Sequence, residues 1–263
     1  MALFTDGSIS TLEQLAAQDT AVLDAASTEG IDATAKLSLA QEELGIALTS
    51  AFSRSALAFG NPSAWWPGSS VPSQSLQLQH IVVTSPLRLW HTFHTLELIY
   101  RDAYNSQLND RYLGKWNEYK DLARWAADML FQIGVGLVSV PVPMAQTPAL
   151  AILSGPFPAT TYFVQIAWLN SRGEEGLASQ VASASGPDQN TVQVMASPPP
   201  VGAALWNVYV GSSIDGITRQ NNAPLDPSQA WIQTSSGLSP GKAPGTGQDP
   251  NFLRQIPRFL QRG

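Results

Sequence analysis

At 263 residues, 44% hydrophobic and only 13% charged, the chain is long enough for two domains with real cores and has about half the usual share of charge. It holds no cysteine, which excludes disulfides and thiolate metal sites. Its net charge of −6 falls on residues 1–150, with 8 Lys+Arg against 14 Asp+Glu, while residues 151–263 balance at 6 against 6, so the clustered cations of a phosphate-binding surface are missing.

The start, MALFTDGSIS, lacks a basic stretch followed by an apolar run, so no secretory signal is expected. Ser10-Thr11-Leu12-Glu13 reads as a capping box with Ser10 as cap, opening a helix that carries Leu12, Leu15, Ala16, Val22 and Leu23 to about Gly30. A second helix is expected from Ser38, with Gln41 reaching back, and it fades near Phe59-Gly60. Residues 61–79, NPSAWWPGSSVPSQSLQLQ, break all periodicity, and a loop of that length inside a compact domain is usually functional or disordered. Trp65 and Trp66 within it either fold back on the parent domain or anchor a neighbouring subunit, since tryptophans are frequent interface hot spots.

Thr84 to Gly136 is the longest helix-period stretch. Phe93, Leu96, Tyr100, Ala103 and Tyr104 share one face, and Trp116, Tyr119, Ala123, Ala126, Leu130 and Ile133 repeat the pattern. Ser85-Pro86 is a start signal, and Asn109-Asp110 with Gly114 marks a break, so two antiparallel helices are expected, with a single bent helix as the alternative. Residues 134–143, GVGLVSVPVP, form a β-prone exit. No apolar run approaches the ~18 residues of a membrane span.

From about Ala149 the pattern changes to period two. Ala159 to Asn170 alternates strictly, with Tyr162, Val164, Ile166 and Trp168 on one face. A turn at Asn170–Gly173 leads to a returning strand over Leu177–Ala184, and further strands are expected at Thr191–Ala196, Leu205–Gly211 and Trp231-Ile232. Short strands separated by turn signals predict a β-sandwich of immunoglobulin or fibronectin type III character. The fold class is therefore α+β: a helical domain of about four helices over 1–148, with an extended loop at 60–80, a sandwich over 149–241, and an extended arm over 242–263. The arm interleaves Arg254, Arg258 and Arg262 with Phe252, Leu253, Ile256, Phe259 and Leu260. The candidate interface residues are thus Trp65, Trp66, Phe252, Leu253, Arg254, Arg258, Phe259, Leu260 and Arg262.

Signals for chemistry are weak. His91, His94 and Glu97 sit at helical spacing that can hold a metal, but no second ligand cluster accompanies them, and packed histidines are the commoner outcome. Glu174-Glu175 and Asp188 read as solvated turn residues rather than a calcium loop. Phosphate-loop, nucleophile-elbow and HExxH motifs are missing. The expectation is a protein without catalytic residues, metal or cofactor.

The segment Thr95–Val138, TLELIYRDAYNSQLNDRYLGKWNEYKDLARWAADMLFQIGVGLV, with the preceding VVTSPLRLWHTF, resembles the head–tail connector or adaptor proteins of tailed phages and prophages. YFVQIAWLNSRGEEG and LWNVYVGSS are similar to immunoglobulin-like domains that decorate virion proteins. The resemblance implies a mostly helical core in a homo-oligomeric ring, a dodecamer in that family, beneath the portal. It implies the portal protein and a tail or nozzle protein as partners, with a fibre or capsid protein meeting the sandwich. DNA would pass through without specific binding, no membrane would be involved, and the site of action would be the virion neck, assembled in the host cytoplasm. A baseplate or fibre-attachment role, or a carbohydrate- or surface-binding module, are the alternative readings.

Overall fold

A computed structural model of the chain describes residues 1–59, 77–107 and 110–253. The architecture is α+β, with helices in the first half and antiparallel sheets in the second. The chain divides into two compact units: one comprises Gly7–Ser139 and the chain from Pro250, the other Met1–Asp6 and Val140–Asp249.

The helical unit holds α1 (Leu12–Gln18), α2 (Val22–Thr28), α3 (Ala33–Phe59), α4 (Ser85–Gln107) and α5 (Leu113–Ile133). The capping box lies one residue later than the sequence suggested. Thr11 Oγ1 accepts from the Gln14 amide and Gln14 Oε1 accepts from the Thr11 amide. Ser10 is withdrawn from capping because its hydroxyl is buried against Thr92 Oγ1 at 2.9 Å. The single helix expected up to Gly30 is two, broken at Asp19. Asp19 Oδ1 accepts from the Ala21 amide, and the other carboxylate oxygen is turned into the α4–α5 pair. The next helix starts at Ala33 rather than Ser38, because Asp32 Oδ1 accepts from the amides of Thr34 and Ala35. Gln41 instead donates to the Gly7 carbonyl.

α4 and α5 are antiparallel: Trp90 near the start of α4 meets Phe131 near the end of α5, while Tyr104 stacks on Trp116 at the other end. The seam is the predicted one. Phe93, Leu96, Tyr100 and Ala103 face Tyr119, Ala123 and Ala126 in one core with Leu15, Val22, Ala26 and Leu37, and Leu130 is buried as well. Ile133, predicted on that face, is exposed. After the Gly134 turn, β1 (Val135–Leu137) runs antiparallel to β9 (Asn251–Leu253) and bridges Ile81 on its other side.

The other unit is a two-sheet sandwich. The strands β2 (Ala149–Phe157), β5 (Asn190–Met195) and β8 (Trp231–Ile232) form one sheet in the order β2-β5-β8. β3 (Thr160–Leu169), β4 (Ala182–Gly186), β6 (Leu205–Gly211) and β7 (Thr218–Arg219) form the other, in the order β4-β3-β6-β7. Tyr162, Val164, Ile166 and Trp168 of β3 share one core with Val192, Val194, Trp206, Val208, Val210 and Trp231, so both sheets bury their facing sides together. β4 pairs with β3; in a constant-type immunoglobulin domain the corresponding strand lies on the opposite sheet.

Three expectations need correction here. The strand returning from the Asn170 turn is Ala182–Gly186, not Leu177–Ala184, because Ser179 bonds back to Ile166 through both its backbone and its hydroxyl and delays regular pairing. β2, unassigned from sequence, pairs with β5 from Ala149↔Met195 to Phe157↔Asn190. It alternates small and large apolar residues rather than polar and apolar ones. The boundaries also differ from 148/149 and 241/242. Residues 242–249 belong to the sandwich unit, where buried Gln248 accepts from the Val142 amide and donates to the Val140 carbonyl. Residues 1–6 join it too, with Asp6 accepting from the Met144 amide and the Met1 ammonium donating to the Gln248 carbonyl.

Candidate interaction surface

Of the nine interface residues singled out from sequence, two lie among the described residues. Phe252 and Leu253 belong to β9, with Phe252 opposite Gly136 and Leu253 opposite Val135. Phe252 is 52% exposed and Leu253 half-buried. Residues 251–253 of the predicted arm are therefore a strand added to the helical unit, whereas its first residues, 242–249, belong to the sandwich unit. The fit is close, because a Cβ on Gly136 would stand 2.8 Å from Thr84 Cγ2 and 2.9 Å from Pro250 Cβ. Trp65, Trp66, Arg254, Arg258, Phe259, Leu260 and Arg262 lie outside the described residues.

Polar chemistry in the helical unit is concentrated in two clusters. In the first, Tyr100 (2.8 Å) and Tyr119 (3.0 Å) both donate to one oxygen of Asp19, and Lys115 Nζ lies 3.3 Å from it. Burial works to raise the Asp19 pKa, but these hydrogen bonds, the Ala21 amide and the Lys115 charge together hold it below its ordinary value. Burial and the carboxylate raise both phenols, so all three groups keep the protonation states their hydrogen bonds need at neutral pH. With both phenol donors and both carboxylate oxygens internally used, it is a clamp of the α1–α2 turn onto the hairpin.

The second cluster sits where α3 crosses α4. His94 lies between Glu43 of α3, 2.5 Å from Nε2, and Glu97, 3.1 Å from Nδ1. Burial opposes its charge, but the two carboxylates outweigh it and raise its pKa. Glu97 is lowered, first by its bond to His94. One turn earlier His91 is fully buried, with Nε2 against the Leu37 carbonyl at 3.0 Å, and burial pushes its pKa down to about 4. His91 and His94 thus point to different partners instead of converging. Among the described residues no group of three or more His, Cys, Asp or Glu is arranged to hold a metal ion.

Exposed apolar surface is the other notable feature. On the helical unit Ile46 and Trp125 stand out, the latter off the buried stripe of α5 and flanked by Asp121, Arg124 and Asp128. On the sandwich unit Leu153, Met195 and Ile232 are exposed on one sheet. Sequence reading passed over these because a single apolar residue off a stripe has no periodic signal. Trp168, Trp206 and Trp231, by contrast, are all core, so the sandwich presents no tryptophan platform. Among the described residues no helix is long and apolar enough to cross a membrane.

The chain matches no protein-family model and no curated protein.

Proposed function

We propose that the protein is a structural, non-enzymatic virion protein, a head–tail adaptor. Its copies form a ring below the portal, extend the DNA channel and join head to tail. The observation that carries this reading is the union in one chain of a rigid antiparallel hairpin, α4 with α5, and a β-sandwich, in the order that the resemblance implies. The hairpin turns most of its aromatic groups into internal packing, as a scaffold does, while Trp125 of α5 and Ile46 of α3 stand outside. Interfaces that repeat around an axis need such patches, because their buried centres are depleted in charge, and a head-to-tail contact closes into a ring when the rotation fits. The acidic excess of residues 1–150 suits a wall that does not hold passing DNA. The partners on this reading are further copies, the portal, a tail or nozzle protein, and a fibre or capsid protein at the sandwich.

The buried positions of Trp168, Trp206 and Trp231 weigh against a carbohydrate-binding module, which would present aromatic rings on its surface. Mass photometry and negative-stain microscopy of the full chain, alone and with its portal protein, test the adaptor reading. Closed rings of copies are the expected result. A strictly monomeric protein in the presence of portal overturns it.

A further inference from the structure

β2 is an edge strand whose protecting devices, Pro156 and the irregularity at Ser154/Phe157, are confined to its end and leave its first five residues open. It pairs with β5 on one side, and among the described residues no strand pairs with its other side. Alternate residues therefore direct N–H and C=O away from the sheet. Natural edges are blunted by charges, by proline or bulges within the strand, or by a covering element, since an open edge templates pairing with another chain. Between Pro148 and the irregularity at Ser154/Phe157, the strand reads Ala149-Leu150-Ala151-Ile152-Leu153, with none of those side-chain devices.

The two faces of this stretch add to the case. Leu150 and Ile152 point into the sandwich core yet are only partly buried, so the core is incompletely covered along this edge. Ala149, Ala151 and Leu153 are exposed on the outer face. Met195 lies opposite Ala149, and Ile232 opposite Gln193, which carries the same face across β5 and β8. No Asp, Glu, Lys or Arg occurs on any of these three strands.

We propose that β2 is a self-association edge: two copies of this chain pair β2 to β2, antiparallel, about a two-fold axis at Ala151, joining two three-stranded sheets into one of six strands. Charge selects the occupant. Copies of a chain with net charge −6 repel each other, and an ionic partner would be recognised by countercharges; this strip opposes no like charges and offers no countercharge. Shape sets the register. In a continuous sheet, opposed residues lie on the same face. Centring on Ala151 places Ala149 opposite Leu153 of the partner subunit, small against large, and Ala151 against its own equivalent. It also sets Leu150 against the partner's Ile152, which seals the open end of both cores. Pro148 and the bulge bound this register on either side. Five residues a side is well short of the roughly 20–30 of a standard stable interface, so the contact is weak alone and is best caught covalently.

The natural absence of cysteine makes that test direct. In the full-length protein, Ala151→Cys sits on the axis, where opposed Cα atoms stand about 4.5–5.5 Å apart, within disulfide reach. Under mild oxidation it should form a covalent dimer at least ~10-fold faster than Ser171→Cys, a control in the exposed turn after β3, because only the former is held in disulfide geometry. Adding Leu153→Lys to Ala151→Cys should return the rate to that of the control. Register is tested by mixing Ala149→Cys and Leu153→Cys chains. The mixture should give a mixed dimer, while either alone should not, since like positions are four residues, about 13 Å, out of register. Cross-linking of Ala151→Cys at the control rate, or equal dimer yield from Ala149→Cys alone and from the mixture, overturns the proposal. Such a failure leaves the ring reading standing, because closed rings are read from the natural protein by a separate measurement.

Discussion

Tyr100 of α4 and Tyr119 of α5 stack with ring centroids 5.6 Å apart and planes 9° from parallel, and their hydroxyls meet on the same oxygen of Asp19. This contact joins three segments distant in sequence and explains why one predicted helix is two. Burying a carboxylate requires that it be fully hydrogen-bonded, and Asp19 reaches both phenols only if the chain turns there.

Asp19→Ala is expected to destabilise the helical unit by about 2–4 kcal/mol, because it strands two buried phenol donors. Urea denaturation measures it. The folded-state pKa of Asp19 is lowered, so its contribution is complete above the unfolded carboxylate range and is lost as pH falls through the folded value. The variant should therefore show a flatter acid limb than the natural protein. Lys115→Met should cost no more than about 1 kcal/mol, since that ammonium is substantially exposed.

The histidine pair gives opposite pH signatures. The pKa of His94 is raised, so its ion pairs with Glu43 and Glu97 stabilise fully below its ordinary 6.5 and fade as pH rises through the folded value. His91 is held neutral, and the unfolded chain takes up a proton on it between 6.5 and about 4, so stability falls as pH drops through that window. Arg101 and Lys120 act on the same site by holding Glu97 ionised. His94→Gln should lower stability by about 1 kcal/mol at pH 5.5, discounted for the exposure of Glu43, and by clearly less at pH 9. Equal losses at the two pH values would refute a charged clamp.

Trp168 and Trp206 lie directly opposite each other on β3 and β6, both without solvent exposure. Trp206→Ala should cost about 3–5 kcal/mol in the sandwich unit. Trp206→Phe should still cost about 1–3 kcal/mol, because the indole N–H donates to the Asp226 carbonyl at 2.9 Å. Calorimetry with both variants separates the volume effect from the hydrogen bond.

Gly136→Ala tests the docking of β9. The new methyl would collide with Thr84 and Pro250, an overpacking worth about 1–3 kcal/mol, and Pro250 leads directly into β9. Hydrogen exchange at Asn251–Leu253 should accelerate, while amides at the centre of α5 keep their protection. Unchanged exchange would mean that β9 is held by something other than its seat on β1.

Periodicity carries its own geometry, and this is why the sequence by itself determined the hairpin seam and most of the sandwich core. Apolar residues three and four apart in α4 and α5, or two apart in β3 and β6, can bury one face in only one way, and Tyr100, Tyr119, Trp168 and Trp206 are where that pattern puts them. Tertiary structure decided whatever depended on a partner far along the chain. Ser10 left its capping role for Thr92, Asp19 broke a helix to reach two tyrosines, and Gln248 drew residues beyond the expected boundary into the sandwich. Such choices arise because a buried polar group must find a specific partner, and sequence spacing does not reveal which one lies beside it. The open edge of β2 belongs to the same class: alanine and leucine in alternation say nothing of which side of a strand is left unpaired until its neighbours in the sheet are known.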